Sequence, residues 1–151
     1  MDRIYQPFDP DDWITTGSPT FNSNGSVTLQ WSNSFDLLRR QFDFEGGVEA
    51  LLILHEVEFA AGRVRAILRN YASNAELGFH QLRDTDASNT AILSRPYAGD
   101  GVTVWITPAL NPTAVTIHRW SLMFAAEFPS ILSPAGSAPP RFFSPYTVGA
   151  T

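Results

Sequence analysis

The sequence predicts an all-β protein: an antiparallel two-sheet β-sandwich, or jelly roll, of about eight strands with extended N- and C-terminal arms. Three observations carry that prediction. Apolar and polar residues alternate with period 2 through the middle of the chain, as half-buried strands require. Gly, Asn, Asp and Ser clusters interrupt the alternation at spacings of about ten residues. No segment reads convincingly as an amphipathic helix.

Residues 1–19 form an acidic N-terminal arm (Asp2, Asp9, Asp11, Asp12) with Pro7, Pro10 and Pro19, leading into a first strand near Trp13. The sandwich proper is expected over 20–124. In "SVTLQW", Val27, Leu29 and Trp31 face one way, Thr28 and Gln30 the other. "LLRRQFDF" follows and ends at the turn "EGG". "VEALLILHEVEFA" puts Leu51, Ile53, His55, Val57 and Phe59 in one row and Ala50, Leu52 and Leu54 in the other, so its start should be covered on both sides. Helix formers abound there, but Gly46–Gly47 and Ala60–Ala61–Gly62 bracket a strand-length segment; "FDLLRRQFDF" is also too short for a helix. "AAG" turns into "RVRAILRNY", where Val64, Ala66 and Leu68 alternate with Arg63, Arg65 and Arg69. "AELGFHQL" and "TAILSR" are shorter strands. In "GVTVWITP", Val102, Val104 and Ile106 point inward and Thr103, Trp105 and Thr107 outward.

The last strand, "AVTIHRWSLMF", contains a slip. Val115 and Ile117 share one phase, whereas Trp120, Leu122 and Phe124 fall on the other. A β-bulge with His118 or Arg119 as the extra residue would bring both sets to one core; alternatively, different layers cover the two halves. Residues 125–151 form a C-terminal arm with five of the eleven prolines and two charges, beside Phe128, Ile131, Leu132, Phe142, Phe143 and Tyr146. A solvated linker is normally richer in charge, so this arm is expected to dock, on its own sandwich or on a neighbour.

Composition narrows the function. The chain of 151 residues is sized for one domain. It carries a net charge of −5 with ten basic residues, all Arg and dispersed along the sequence, so nucleic acid is not an expected partner. There is no Cys, hence no disulfide, thiolate metal site or Cys nucleophile. No apolar run approaches a membrane span, and "MDRIYQPFDPDDW" lacks the apolar core of an export signal.

The passage Leu37 to Leu68, a strand, an acidic Gly turn, a long apolar strand, a Gly turn and another strand, resembles the jelly-roll modules of the carbohydrate-binding-module and galactose-binding-like group. "VTIHRWSLMF" is similar to their final strand, and the resemblance extends over Thr20 to Phe124. It implies binding without catalysis. Many such modules carry an Asp in the final strand where this chain has His118–Arg119, so no ligand or calcium role carries over there. Similar jelly rolls occur in phage capsid-decorating, fibre and tail proteins.

No catalytic, cofactor or metal residues are expected. His55, His80 and His118 have no metal-ligand spacing; His55 in its apolar row reads as a hydrogen-bonded structural histidine. No nucleophile elbow supports a serine hydrolase. Glu56 and Glu58 read as a solvated face rather than a glycosidase pair, and "RDTDASN", with Asp84 and Asp86, as a surface turn rather than a calcium loop. Aromatics are the better signal. Trp105 on its outward phase, Tyr71 and Tyr97 could stack on sugar rings, helped by Arg65 or Arg69, although cover by a second sheet, the arm or a neighbouring subunit is the favoured reading.

The balance of these features favours a non-enzymatic structural protein of a phage particle, such as a capsid-decoration or cement protein. Its arm residues Phe128, Phe142, Phe143 and Tyr146 would dock on capsid or other virion subunits, in a homo-oligomer or lattice. The alternative is a glycan-binding adhesion domain using Trp105, Tyr71 and Tyr97.

Overall fold

The computed structural model describes residues 5–44, 49–97, 101–125 and 141–143. They form eleven strands and no helix: β1 (Ile14–Thr16), β2 (Thr20–Phe21), β3 (Val27–Trp31), β4 (Leu37–Asp43), β5 (Glu49–Ala61), β6 (Arg63–Asn70), β7 (Glu76–Arg83), β8 (Ala91–Pro96), β9 (Gly101–Pro108), β10 (Thr113–Ala125) and β11 (Arg141–Phe143). Five strands make one sheet in the order β1-β4-β9-β6-β7; the other runs β2-β3-β10-β5-β8, with β11 added to β10. Every pairing is antiparallel. The all-β sandwich is the architecture expected from the alternation. β1 is the first strand expected near Trp13; the strands not expected are β2 and β11, two and three residues long, too short for a period of 2 to show.

The inward rows of the two sheets meet in one core. Leu38 and Phe42 of β4, Val64, Ala66 and Leu68 of β6, and Val102, Val104 and Ile106 of β9 face Val27 and Leu29, Ala50, Leu52 and Leu54, and Trp120, Leu122 and Phe124. Trp13, Phe42 and Trp120 form an aromatic knot, with centroids 5.5 Å apart for Trp13–Trp120 and 5.7 Å for Phe42–Trp120. Arg40 also points inward, its guanidinium carbon 4.7 Å from the Phe42 ring centroid and 5.4 Å from that of Trp120. Burial lowers its pKa from the usual arginine value, and the nearby charges of Asp12 and Asp9 oppose that shift.

The slip in β10 has a partner in β5. Val57 lies opposite Ile117, His55 opposite Arg119 and Leu54 opposite Trp120, so the ladder keeps its register straight through the slip. No bulge forms there. Instead β5 changes phase at the same level, from core-facing Leu52 and Leu54 to core-facing Val57, and Glu56 takes φ 54° to do so. The bulge between β5 and β10 lies elsewhere, between Ala114 and Val115. The single row expected for Leu51 through Phe59 is therefore two rows. Leu51 and Ile53 turn outward, join Met123 and are covered by Tyr5, while Val57 packs in the main core with Phe59 against it.

His118 and Arg119 serve this junction. His118 Nε2 lies 2.9 Å from Glu58 Oε1, and Arg119 donates to the carbonyl oxygens of Asn24 (2.9 Å) and His118 (2.6 Å). Tyr5 stacks on His55 with centroids 4.4 Å apart.

The described parts of both arms lie on their own sandwich. Phe8 and Trp13 are core residues. Gln6 exchanges both backbone hydrogen bonds with Trp120 (2.7 and 3.1 Å), and the Trp120 indole N–H donates to Pro7 O at 3.1 Å. Farther along the same edge of β10, β11 pairs with Leu122 to Phe124. Three segments thus line one edge in succession: β3 over Thr113 to Ile117, Gln6 at Trp120, then β11.

Candidate functional site

The outer face of the five-stranded sheet gathers the candidate chemistry. Strand alternation gives it a flat row of directly opposed residues: Ile14 of β1 against Arg39 of β4, Arg39 against Trp105 of β9, Trp105 against Ile67 of β6, and Ile67 against Phe79 of β7. Ile14 and Phe79, at the two ends, are 54% and 46% exposed. The next row carries Thr107, Arg65 and Gln81, and the row on the other side Gln41, Thr103, Arg69 and Glu76.

Arginines cover the rings. The Arg69 guanidinium carbon is 4.7 Å from the Trp105 centroid and that of Arg39 is 5.7 Å away; Arg65 sits 4.6 Å over Phe79. Each contact is a cation–π pair, worth about 0.5–1 kcal/mol at an exposed site. Arg65 donates to Gln81 Oε1 at 2.9 Å and Arg69 to Asn74 O at 3.2 Å. The Nε groups of Arg65 and Arg69 and the indole nitrogen of Trp105 have no acceptor. Among the described residues, the ion pairs found are Arg40–Asp12, His55–Glu56 and His118–Glu58, and none involves an arginine of this face. The three nitrogens without an acceptor are buried, and the outer face brings guanidinium groups together with aromatic rings.

No family model and no curated relative matches the sequence. Solved structures do. A CBM4 structure superposes with TM-score 0.53 at 8% identity, over 74% of this chain and 77% of the other. The CBM22-1 xylan-binding domain from Paenibacillus barcinonensis Xyn10C gives 0.52 at 9%, over 80% and 92%. BiXyn10A CBM1 gives 0.50 at 16%, over 81% and 89%. The fold is the jelly roll of the carbohydrate-binding modules.

Within this carbohydrate-binding-module fold the sequence-predicted aromatics part company. Trp105 stands at the centre of the outer face, as its phase required. Tyr97 does not offer a free ring: it is 7% exposed, meets Phe124 edge-on at 5.6 Å and donates its hydroxyl to Phe44 O at 2.8 Å. Its loop-like surroundings, "RPYAGDG", concealed that anchoring. Tyr71 is half-buried past the end of β6, with its backbone N–H on Gly101 O at 3.0 Å. Arg65 and Arg69 belong to the face as expected; Arg39 and Phe79 were missed. Arg39 could have been found from its phase, opposite to inward Leu38 and Phe42.

Of the arm residues expected to dock on partners, Phe128 and Tyr146 lie outside the described residues. Phe142 and Phe143 belong to β11, whose backbone is paired with its own β10. Asp84 and Asp86 accept the backbone N–H groups of Gly62 (3.3 Å) and Arg83 (2.8 Å), which is turn chemistry. Among the described residues, no group of three or more His, Asp or Glu could hold a metal ion.

Proposed function

We propose that this chain is a glycan-binding module that engages its ligand on the outer face of the five-stranded sheet and does no chemistry on it. One observation carries the reading: Trp105 stands partly buried at the centre of the outer face, among arginine, threonine and glutamine side chains, on the fold of the carbohydrate-binding modules. A sugar needs that combination, an apolar surface for its ring face and polar groups at its edges. Two observations favour this reading over a virion role: the similar solved structures are carbohydrate-binding modules, and the described arm residues pack on their own sandwich.

The test is a glycan microarray carrying neutral and charged polysaccharides, followed by titration calorimetry of the hits. Trp105→Ala should weaken binding by roughly thirtyfold, the loss expected of a central tryptophan anchor, with an unchanged near-UV circular dichroism spectrum apart from the missing indole. Absence of binding to every polysaccharide would overturn the reading.

A further inference from the structure

The charge on this face narrows the ligand, if the glycan reading holds. Five of the ten arginines stand at outward positions of the five-stranded sheet: Arg39 on β4, Arg63, Arg65 and Arg69 on β6, and Arg83 on β7. The acids at outward strand positions are Asp43 and Glu76, both near strand ends. The face is therefore cationic on a chain whose net charge is −5. An acidic protein that concentrates arginine on one face has made a local field opposite to its overall one.

Two details sharpen this. Arg63 and Arg83 are direct cross-strand neighbours, but the Asp84 and Asp86 carboxylates, bonded to the backbone N–H groups of Gly62 and Arg83, already bring counter-charge to that end of the face, so the uncompensated arginines are those around Trp105. The faces of Trp105 and Phe79 are not bare but carry guanidinium groups. A neutral sugar stacking on Trp105 competes with Arg39 and Arg69 for the ring. An anionic sugar recruits them: each guanidinium can pair bidentately with a carboxylate or sulfate, and rotation toward it would bring the Nε donors that now lack acceptors into use.

We infer that the ligand is an anionic polysaccharide, bearing carboxylate or sulfate groups, held by Arg39, Arg65 and Arg69 around Trp105. The shared chemistry is an oxyanion on a sugar backbone. Dispersed in sequence, these arginines become a cluster only when β4 and β6 flank β9.

Calorimetry on matched polymers tests it: polygalacturonate against its methyl ester, and dextran sulfate against dextran. At low salt, at least one charged polymer should bind about tenfold or more tightly than its neutral twin, and about 0.5 M NaCl should erase most of the difference. Which pair responds identifies the oxyanion as carboxylate or sulfate. Arg39→Gln and Arg69→Gln should each weaken that binding severalfold. Arg95→Gln, the same charge change on β8 of the other sheet, should not. Two variants guard against one failing to fold. Equal, salt-insensitive binding of both twins, or an equal loss in Arg95→Gln, would overturn the anionic assignment and leave the glycan reading standing. No polysaccharide binding at all would sink both. Tighter binding of oligo-dT than of any polysaccharide would move the face to nucleic acid and overturn the proposal.

Discussion

Arg40 shows how one residue can be at odds with its pattern and still be held in place. Its position on β4 alternates with outward Arg39, so it must point at the core, where Trp13, Phe42 and Trp120 receive its guanidinium. Asp12 answers the charge at 3.7 Å, an ion pair too long for a hydrogen bond. The aliphatic stem and cation–π contacts therefore carry more of its effect than the pair does. Arg40→Ala should cost about 1–2 kcal/mol in urea denaturation, and Asp12→Asn clearly less; equal losses would put the ion pair first. The neighbouring Arg39 differs by one position and by everything else: it faces out, over Trp105. That contrast is visible in "LLRRQFDF" once Leu38 and Phe42 are taken as core.

At the level of elements, strands were legible wherever alternation ran unbroken. β3, β6 and β9 lie as their periods demand, and the outward phase of Trp105 follows from that alone. Legibility failed in β5, because apolar residues on both faces hide a change of phase. The equivalent slip in β10 was readable, since its two apolar sets are separated by His118–Arg119. What one strand cannot reveal is that its neighbour slips at the same level, with Glu56 and His118 between the pairs Val57–Ile117 and His55–Arg119 and the register the same on both sides. Deleting Glu56 alone should shift the rest of β5 by one place against β10 and strongly destabilise the fold. Deleting His118 as well should restore register in a straight ribbon. Thermal unfolding of the two single deletions and the double deletion checks this; a double deletion worse than either single would refute the twin-slip account.

The candidate site exists only at the scale of the whole molecule. Arg39, Arg63, Arg65, Arg69 and Arg83 span more than forty positions of sequence, so a charge scan along the chain sees dispersion. Sheet order β4-β9-β6-β7 brings them onto one surface. The arms were expected to dock, on their own sandwich or on a neighbour, and among the described residues Phe8, Trp13, Gln6 and β11 lie on their own sandwich. That placement has a topological result. Gln6 lies opposite Trp120 and Phe143 opposite Leu122, only two positions apart on one edge, roughly 7 Å along a strand. Joining the two ends of this sequence directly leaves thirteen residues, 144–151 and 1–5, between Phe143 and Gln6 to bridge that gap. A circularly permuted chain, opened between Ala87 and Ser88 in the exposed β7–β8 turn, should unfold cooperatively and retain its arginine face. Loss of cooperative unfolding would mean that the two ends are not seated side by side on β10. Seated so, they make the order in which the chain is written a matter of indifference to the fold.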